Sequence, residues 1–143
     1  MSKYMEVQTE LKDVATFVAA LTAVCQNNRL LVEKGPGLVA YGYSNQTIDA
    51  DFVIRKRQLG AYGDLAFCKT SDGIKVVVDD LDDRGQEIVR QIKQQYARTR
   101  IEKVARARGL VVEEVPAEGG AIRLRLVAPD SARQDRVHVR RGR

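Results

Sequence analysis

The fold class this sequence predicts is α+β: two β-α-β-β-like halves, with two helices packed on one face of a largely antiparallel sheet. Three observations carry it. Residues 4–11 alternate, with Met5, Val7, Thr9 and Leu11 on one side and Tyr4, Glu6, Gln8 and Glu10 on the other, the period of a half-buried strand. Val14, Phe17, Val18, Leu21, Val24 and Cys25 then fall on a single helical stripe. The order strand, helix, strand, strand comes twice, the second time from residue 74 onward, with glycine-rich connections in both copies.

Each element has a local cause. Asp13 is placed to cap the first helix, and Asn27-Asn28 closes it. A strand begins at 30–33, and Gly35-Pro36-Gly37 reads as a turn. Residues 38–43 and 51–57 form a hairpin around Ser44-Asn45-Gln46; residues 64–68 and 74–78 form another around Ser71-Asp72-Gly73, where Gly73 supplies a positive φ. The second helix spans 86–108, and Gly109 stops it. Its apolar stripe shifts: Ile88, Ile92 and Tyr96 share one side, while Ile101 and Val104 turn away from it. A kink near Arg98 or a second packing partner would account for that. Strands at 110–115 and 121–127 follow, the last with Ile122, Leu124 and Leu126 inward and Arg123 and Arg125 outward. Past Pro129 the apolar pattern stops, which predicts a single domain over 1–128 and a basic flexible tail over 129–143.

Bulk properties bound the function. A chain of 143 residues can bury a core without staples, and 44% hydrophobic with 30% charged residues is an ordinary globular composition. No stretch approaches a spanning length, and Met-Ser-Lys-Tyr-Met-Glu has no apolar signal core, so a cytoplasmic protein is expected. Cys25 and Cys68 lie far apart inside apolar patterns and read as buried thiols in a reducing compartment. The net charge of +5 is uneven: residues 1–83 carry −3, residues 84–108 carry +6, and residues 129–143 carry +3. Such a helix and tail form either a phosphate-binding footprint or a solvated face with a loose end.

Four aspartates stand between Asp79 and Asp83. A calcium loop would need carboxylates at alternate positions with a glycine at the sixth, and counting from Asp79 the sixth residue is Arg84. Helix starts favour aspartates as caps and as partners of the dipole, so the run is read as a capping device centred on Asp83, with no metal expected. The sole histidine, His138, lies in the tail, so no Ser-His-Asp or Cys-His arrangement can form in the core. Phosphate-cradling glycine loops are absent, and no cofactor is expected. Tyr4, Tyr41, Tyr43 and Tyr62 are the candidate stacking residues for a nucleic acid, although tyrosines at such positions more often edge a core.

At residues 42–55, GYSNQTIDADFVIR, the chain resembles an uncharacterised family typified by the hypothetical chloroplast reading frame thirty-five, found in cyanobacteria, red algal plastids and other bacteria. The likeness rests on Gly42-Tyr43, the strand Ala50 to Ile54, YGDLAF from Tyr62 to Phe67, Val78-Asp79-Asp80, and Gln94-Gln95-Tyr96-Ala97. It closes with Val111 to Glu114 and Gly120 to Leu124, and so spans about residues 4–127. It departs from the family pattern at the extra Gly63 and at Ala66, where the family has glycine. The resemblance implies no catalytic residues; it implies an accessory role beside an ATPase of the AAA type.

The expectation is therefore a non-catalytic binding or adaptor module acting through a protein partner, a homo-oligomer or an AAA-type ATPase among the candidates. Between Val14 and Cys25 there is no charged residue, so Ala15, Ala19, Ala20 and Ala23 form a candidate protein interface, covered either by the second helix or by another chain. The alternative is non-specific nucleic-acid binding through the basic helix at Arg98 and Arg100 and through Arg133, Arg136, Arg140, Arg141 and Arg143 of the tail.

Overall fold

The computed structural model of the protein describes residues 3–116 and 122–129. The elements run β1 (Tyr4–Gln8), α1 (Val14–Asn27), β2 (Glu33–Tyr41), β3 (Thr47–Ile54), α2 (Lys56–Leu59), β4 (Leu65–Thr70), β5 (Gly73–Asp79), α3 (Asp83–Ala107), β6 (Val111–Pro116) and β7 (Ile122–Val127). The fold class is α+β, as the patterning predicts. A first compact unit ends at Tyr96 and a second begins at Ala97, so the boundary falls inside α3. The shift of the apolar stripe along this helix falls at the same place, and the helix itself runs on to Ala107.

In the first unit, five strands form an antiparallel sheet in the order β1-β5-β4-β3-β2. Strand alternation sends Phe52, Phe67, Ile74, Val76 and Val78 to one face, where they meet Phe17, Leu21 and Val24 of α1 and Ile88, Ile92 and Tyr96 of α3. Phe17 sits at the centre, its ring 5.5 Å from Phe52 and 5.3 Å from Phe67. Burying a phenylalanine of this kind contributes about 1.5–3 kcal/mol. The Tyr96 hydroxyl accepts the Lys12 and Asp13 N–H groups at 3.2 and 2.9 Å, tying α3 to the start of α1. The opposite face buries smaller residues, Ala40, Ala50, Val53, Ala66, Cys68 and Val77.

Tyr4 points to that second face and closes it. Its ring lies against Gly42 and Gly63, where an added Cβ would stand 2.5 and 3.2 Å away, and its hydroxyl donates to the Asp64 carbonyl. β1 and the end of β2 are four strand spacings apart, about 19 Å in a flat sheet. The sheet is therefore coiled until its two margins approach one another.

The second unit holds β6 and β7, which pair with each other over Val111↔Val127 to Pro116↔Ile122 as a separate two-stranded sheet. The order β-α-β-β does recur, but the second pair of strands does not join the main sheet. Leu126, expected to face inward, is 36% exposed.

Other local expectations change. Gly35-Pro36-Gly37 is a bulge inside the continuous strand β2, with the register shifting between Lys34 and Leu38. β3 starts four residues early, at Thr47, and Arg55 leads into the short helix α2. The helix cap is Asp82 and not Asp83: its Oδ1 accepts the Gly85 N–H at 2.7 Å. The neighbouring aspartates have their own tasks, Asp79 accepting the Leu81 N–H and Asp80 the Lys3 N–H. Asp13 does occupy the cap position of α1, but its carboxylate takes the Thr16 hydroxyl rather than a backbone N–H. Cys25 and Cys68 are both free and buried.

Candidate protein-binding surface

The site is built at the β2–β3 turn and the connection into β4. Tyr43 to Gln46 makes a tight turn between β2 and β3, with Ser44 and Asn45 both left-handed, φ 57° and 66°. That geometry matches the twist of the flanking strands, and Asn tolerates it best among residues with a side chain. Gly42 precedes the loop because the Tyr4 ring leaves no room for a Cβ there.

Beneath the loop lies Asp64, 2% exposed. Its Oδ2 accepts the Tyr41 N–H and the Arg55 Nη1, both at 2.9 Å, and its Oδ1 accepts the Lys56 N–H at 2.8 Å. Arg55 then reaches three ways: to Asp64, to the Val39 carbonyl at 2.8 Å, and to Glu33 as a two-point pair at 2.6 and 3.0 Å. Both carboxylate oxygens of Asp64 are thus satisfied, and the group staples the end of β2 to the start of α2. The pairing holds the Glu33 carboxyl below its usual range through the Arg55 hydrogen bond, and it raises the Arg55 guanidinium. Burial, followed by the nearby Asp64 charge, pushes the Tyr4 phenol upward.

Over this rigid base three tyrosines stand in solvent: Tyr41 at 49% exposure, Tyr43 at 40% and Tyr62 at 60%. The Tyr43 and Tyr62 rings meet edge to face, with centroids 5.9 Å apart. The Arg55 guanidinium lies 6.0 Å from the Tyr41 ring centre. A depression of about 340 Å³ runs between Tyr43, Asn45, Lys56 and Tyr62, and one of about 380 Å³ between Tyr41, Arg55, Arg57 and Glu33. Lys56 lines both. The surface offers aromatic area on a fixed backbone, with cations at its rim.

The alanines singled out from the sequence do not line this surface. Ala15 and Ala19 are exposed, Ala23 is half-buried, and Ala20 is fully buried in the core, so it belongs to the inward face and not to an interface. α3 packs beside α1 without covering Ala15 or Ala19. Arg98 is held by Glu102 at 3.1 Å and also by Glu114. Arg100 is exposed, and Arg133, Arg136, Arg140, Arg141 and Arg143 lie outside the described residues. Among the described residues there is no group of three or more His, Cys, Asp or Glu arranged for a metal ion, and no helix is long and apolar enough to cross a membrane. The tyrosines were legible as residue types; the Arg55–Asp64 pair that holds the Tyr41 N–H, and the contact of Tyr43 with Tyr62, were not.

An α+β chain with this surface is matched over residues 29–125 by the model of a family described as "Protein of unknown function (DUF1257)". The chain belongs to that family. No curated protein and no solved structure matches it.

Proposed function

We propose that this protein is a non-catalytic adaptor that works by binding a protein partner through the Tyr41, Tyr43 and Tyr62 surface. The observation that carries the reading is the exposure of all three tyrosines on a base fixed by Arg55 and Asp64. Tyrosine supplies large contact area at low entropic cost, and anchors held by a rigid scaffold lose little freedom on binding. The likeness to the chloroplast reading frame thirty-five family adds a candidate partner class, an ATPase of the AAA type. A homo-oligomer is the other candidate, and the cytoplasm is the compartment that fits both. The test is quantitative capture from the native host with the wild type and with Tyr43→Ser/Tyr62→Ser. A partner set lost at least tenfold in the double variant, with its melting unchanged, supports the reading. An unchanged set refutes it.

A second reading, non-specific nucleic-acid binding, is supported by Lys56 and Arg57 beside the tyrosines, by the charge of +6 over residues 84–108, and by the five tail arginines. Each phosphate neutralised adds roughly 0.7–0.9 to the slope of log affinity against log salt. Removing residues 130–143 should flatten that slope by about three to four units. Equal binding by the shortened chain removes the tail from this reading, and absence of binding at low salt ends it.

A further inference from the structure

β1 and β2 are the two margins of the main sheet, and they differ. β2 carries the devices that stop a strand from recruiting another: a bulge between Lys34 and Leu38, and Pro36, which has no N–H. β1 has neither. Asp80 N–H donates to the Lys3 carbonyl at 2.8 Å and Thr9 N–H to the Ile74 carbonyl at 3.1 Å, so the odd-numbered residues of β1 exchange their bonds with β5. Glu6 and Gln8 therefore turn their N–H and C=O groups to the open side, beyond the Tyr4 end that lies against Gly42.

Beside that margin a groove of about 250 Å³ runs between β1 and α3. Met5, Val7, Val76, Val78 and Val89 make an apolar floor, and Val7 keeps 40% exposure. Gln86, Arg90 and Lys93 recur along one face of α3 and form the rim. Arg90 is engaged by Glu87, whereas Lys93 carries no ion pair among the described residues. An apolar floor beneath a free ammonium selects a ligand with an apolar side chain and a carboxylate on the same side.

We propose that the β1 margin docks an extended acidic-apolar peptide segment of a partner protein. The segment adds as a strand beside the Glu6–Gln8 stretch of β1 and lays alternate side chains into the groove between β1 and α3. An apolar side chain sits over Val7, and a carboxylate two residues along meets Lys93. The side chains between them lie on the other face, beside Glu6 and Gln8, and are polar. This site shares no lining residue with the tyrosine surface, and it stands or falls independently of that surface.

The test is fluorescence anisotropy of the full chain with a labelled peptide, Thr-Val-Thr-Ile-Thr-Glu-Thr. Its affinity should fall about fivefold when lysine replaces the glutamate, and about fivefold with Lys93→Glu. Combining the two reversals should restore part of the loss. Glu6→Pro removes an outward N–H and the exposed Glu6–Lys75 ion pair but no ladder bond, so it should abolish binding with the β1–β5 pairing intact. If that variant does not fold, N-methylation of the peptide supplies the same test: methyl groups on the residues facing β1 must abolish binding, and those on the outward residues must not. The proposal is overturned by absence of saturable binding at millimolar peptide, by a folded Glu6→Pro protein that binds normally, or by indifference to both charge reversals. A dimer in light scattering that Glu6→Pro splits also overturns it, since the margin then serves a second copy.

Discussion

Replacing a helical glycine by alanine normally stabilises a protein by about 1 kcal/mol. At Gly85, in the first turn of α3, the sign should reverse. An added Cβ would stand 2.1 Å from Asp82 Oδ2 and 2.6 Å from its Cγ, while Oδ1 of the same carboxylate caps Gly85 N–H at 2.7 Å. Asp82 is 4% exposed and cannot swing outward without giving up that bond. The cap is worth about 1 kcal/mol, and overpacking costs about 1–3 kcal/mol. Set against the propensity gain, Gly85→Ala should destabilise by about 1–3 kcal/mol. Asp82→Ala alone should cost about 1 kcal/mol. In the Asp82→Ala background both the clash and the cap are gone, and Gly85→Ala should stabilise by up to about 1 kcal/mol. The coupling between the two sites is then about 2–4 kcal/mol. Urea unfolding of the four proteins, followed by far-ultraviolet circular dichroism, measures it. Additivity within about 0.5 kcal/mol would refute the cap geometry.

Four further outcomes follow from the same structure. Burial, offset in part by the Gly85 N–H and reinforced by Asp79 and Asp83, raises the Asp82 carboxyl above 3.8. Its contribution to stability is therefore complete below pH 3.8 and lost as pH rises through the folded value, so the stability of Asp82→Asn relative to wild type should increase over that interval in pH-dependent urea melts. Asp64→Ala leaves Arg55 without its buried partner and strips Tyr41 and Lys56 N–H of their acceptor; a loss of about 3–5 kcal/mol is expected, and less than 1 kcal/mol would remove the staple role. Burial pushes the Cys25 thiol up to about 11 and raises that of Cys68, so a thiol reagent at pH 8 should label neither until denaturant is added. Ala19 is exposed, so Ala19→Glu should leave stability within about 0.5 kcal/mol, and a drop in solution mass would reveal a second chain on that helix face.

What could be read from the sequence was what depends on near neighbours. The stripe of α1, the turn at Ser71-Asp72-Gly73 and the stop at Gly109 all rest on residues within a few positions, and the structure keeps each of them; the strand expected over 4–11 is shorter, β1 ending at Gln8 with Val7 40% exposed. Gly35-Pro36-Gly37 was misleading because the residues that favour a turn also favour a bulge, and only pairing with β3 decides between them. Four aspartates in five positions made the cap ambiguous; the discriminating signal was Gly85, the one residue whose missing Cβ leaves room for the Asp82 carboxylate. Ala20 looks like its neighbours in composition, yet helical rotation turns it inward with Phe17 and Leu21. The tyrosine surface has no local signature. Tyr41 ends β2, Tyr43 stands in the turn after it and Tyr62 lies on the connection into β4, and the Arg55–Asp64 pair that holds the Tyr41 N–H belongs to no local pattern.

The contact of Tyr4 with Gly42 and Gly63 has a consequence for how this protein can be divided. The family match begins at residue 29, after β1 and α1. A recombinant fragment trimmed to 29–125 would lack the strand that pairs with β5, the helix that carries Phe17 and Leu21, and the ring that joins the two margins of the coiled sheet. Phe52, Phe67 and Val76 would be left facing water, and the segment most readily traced between relatives would be an insoluble half of a core.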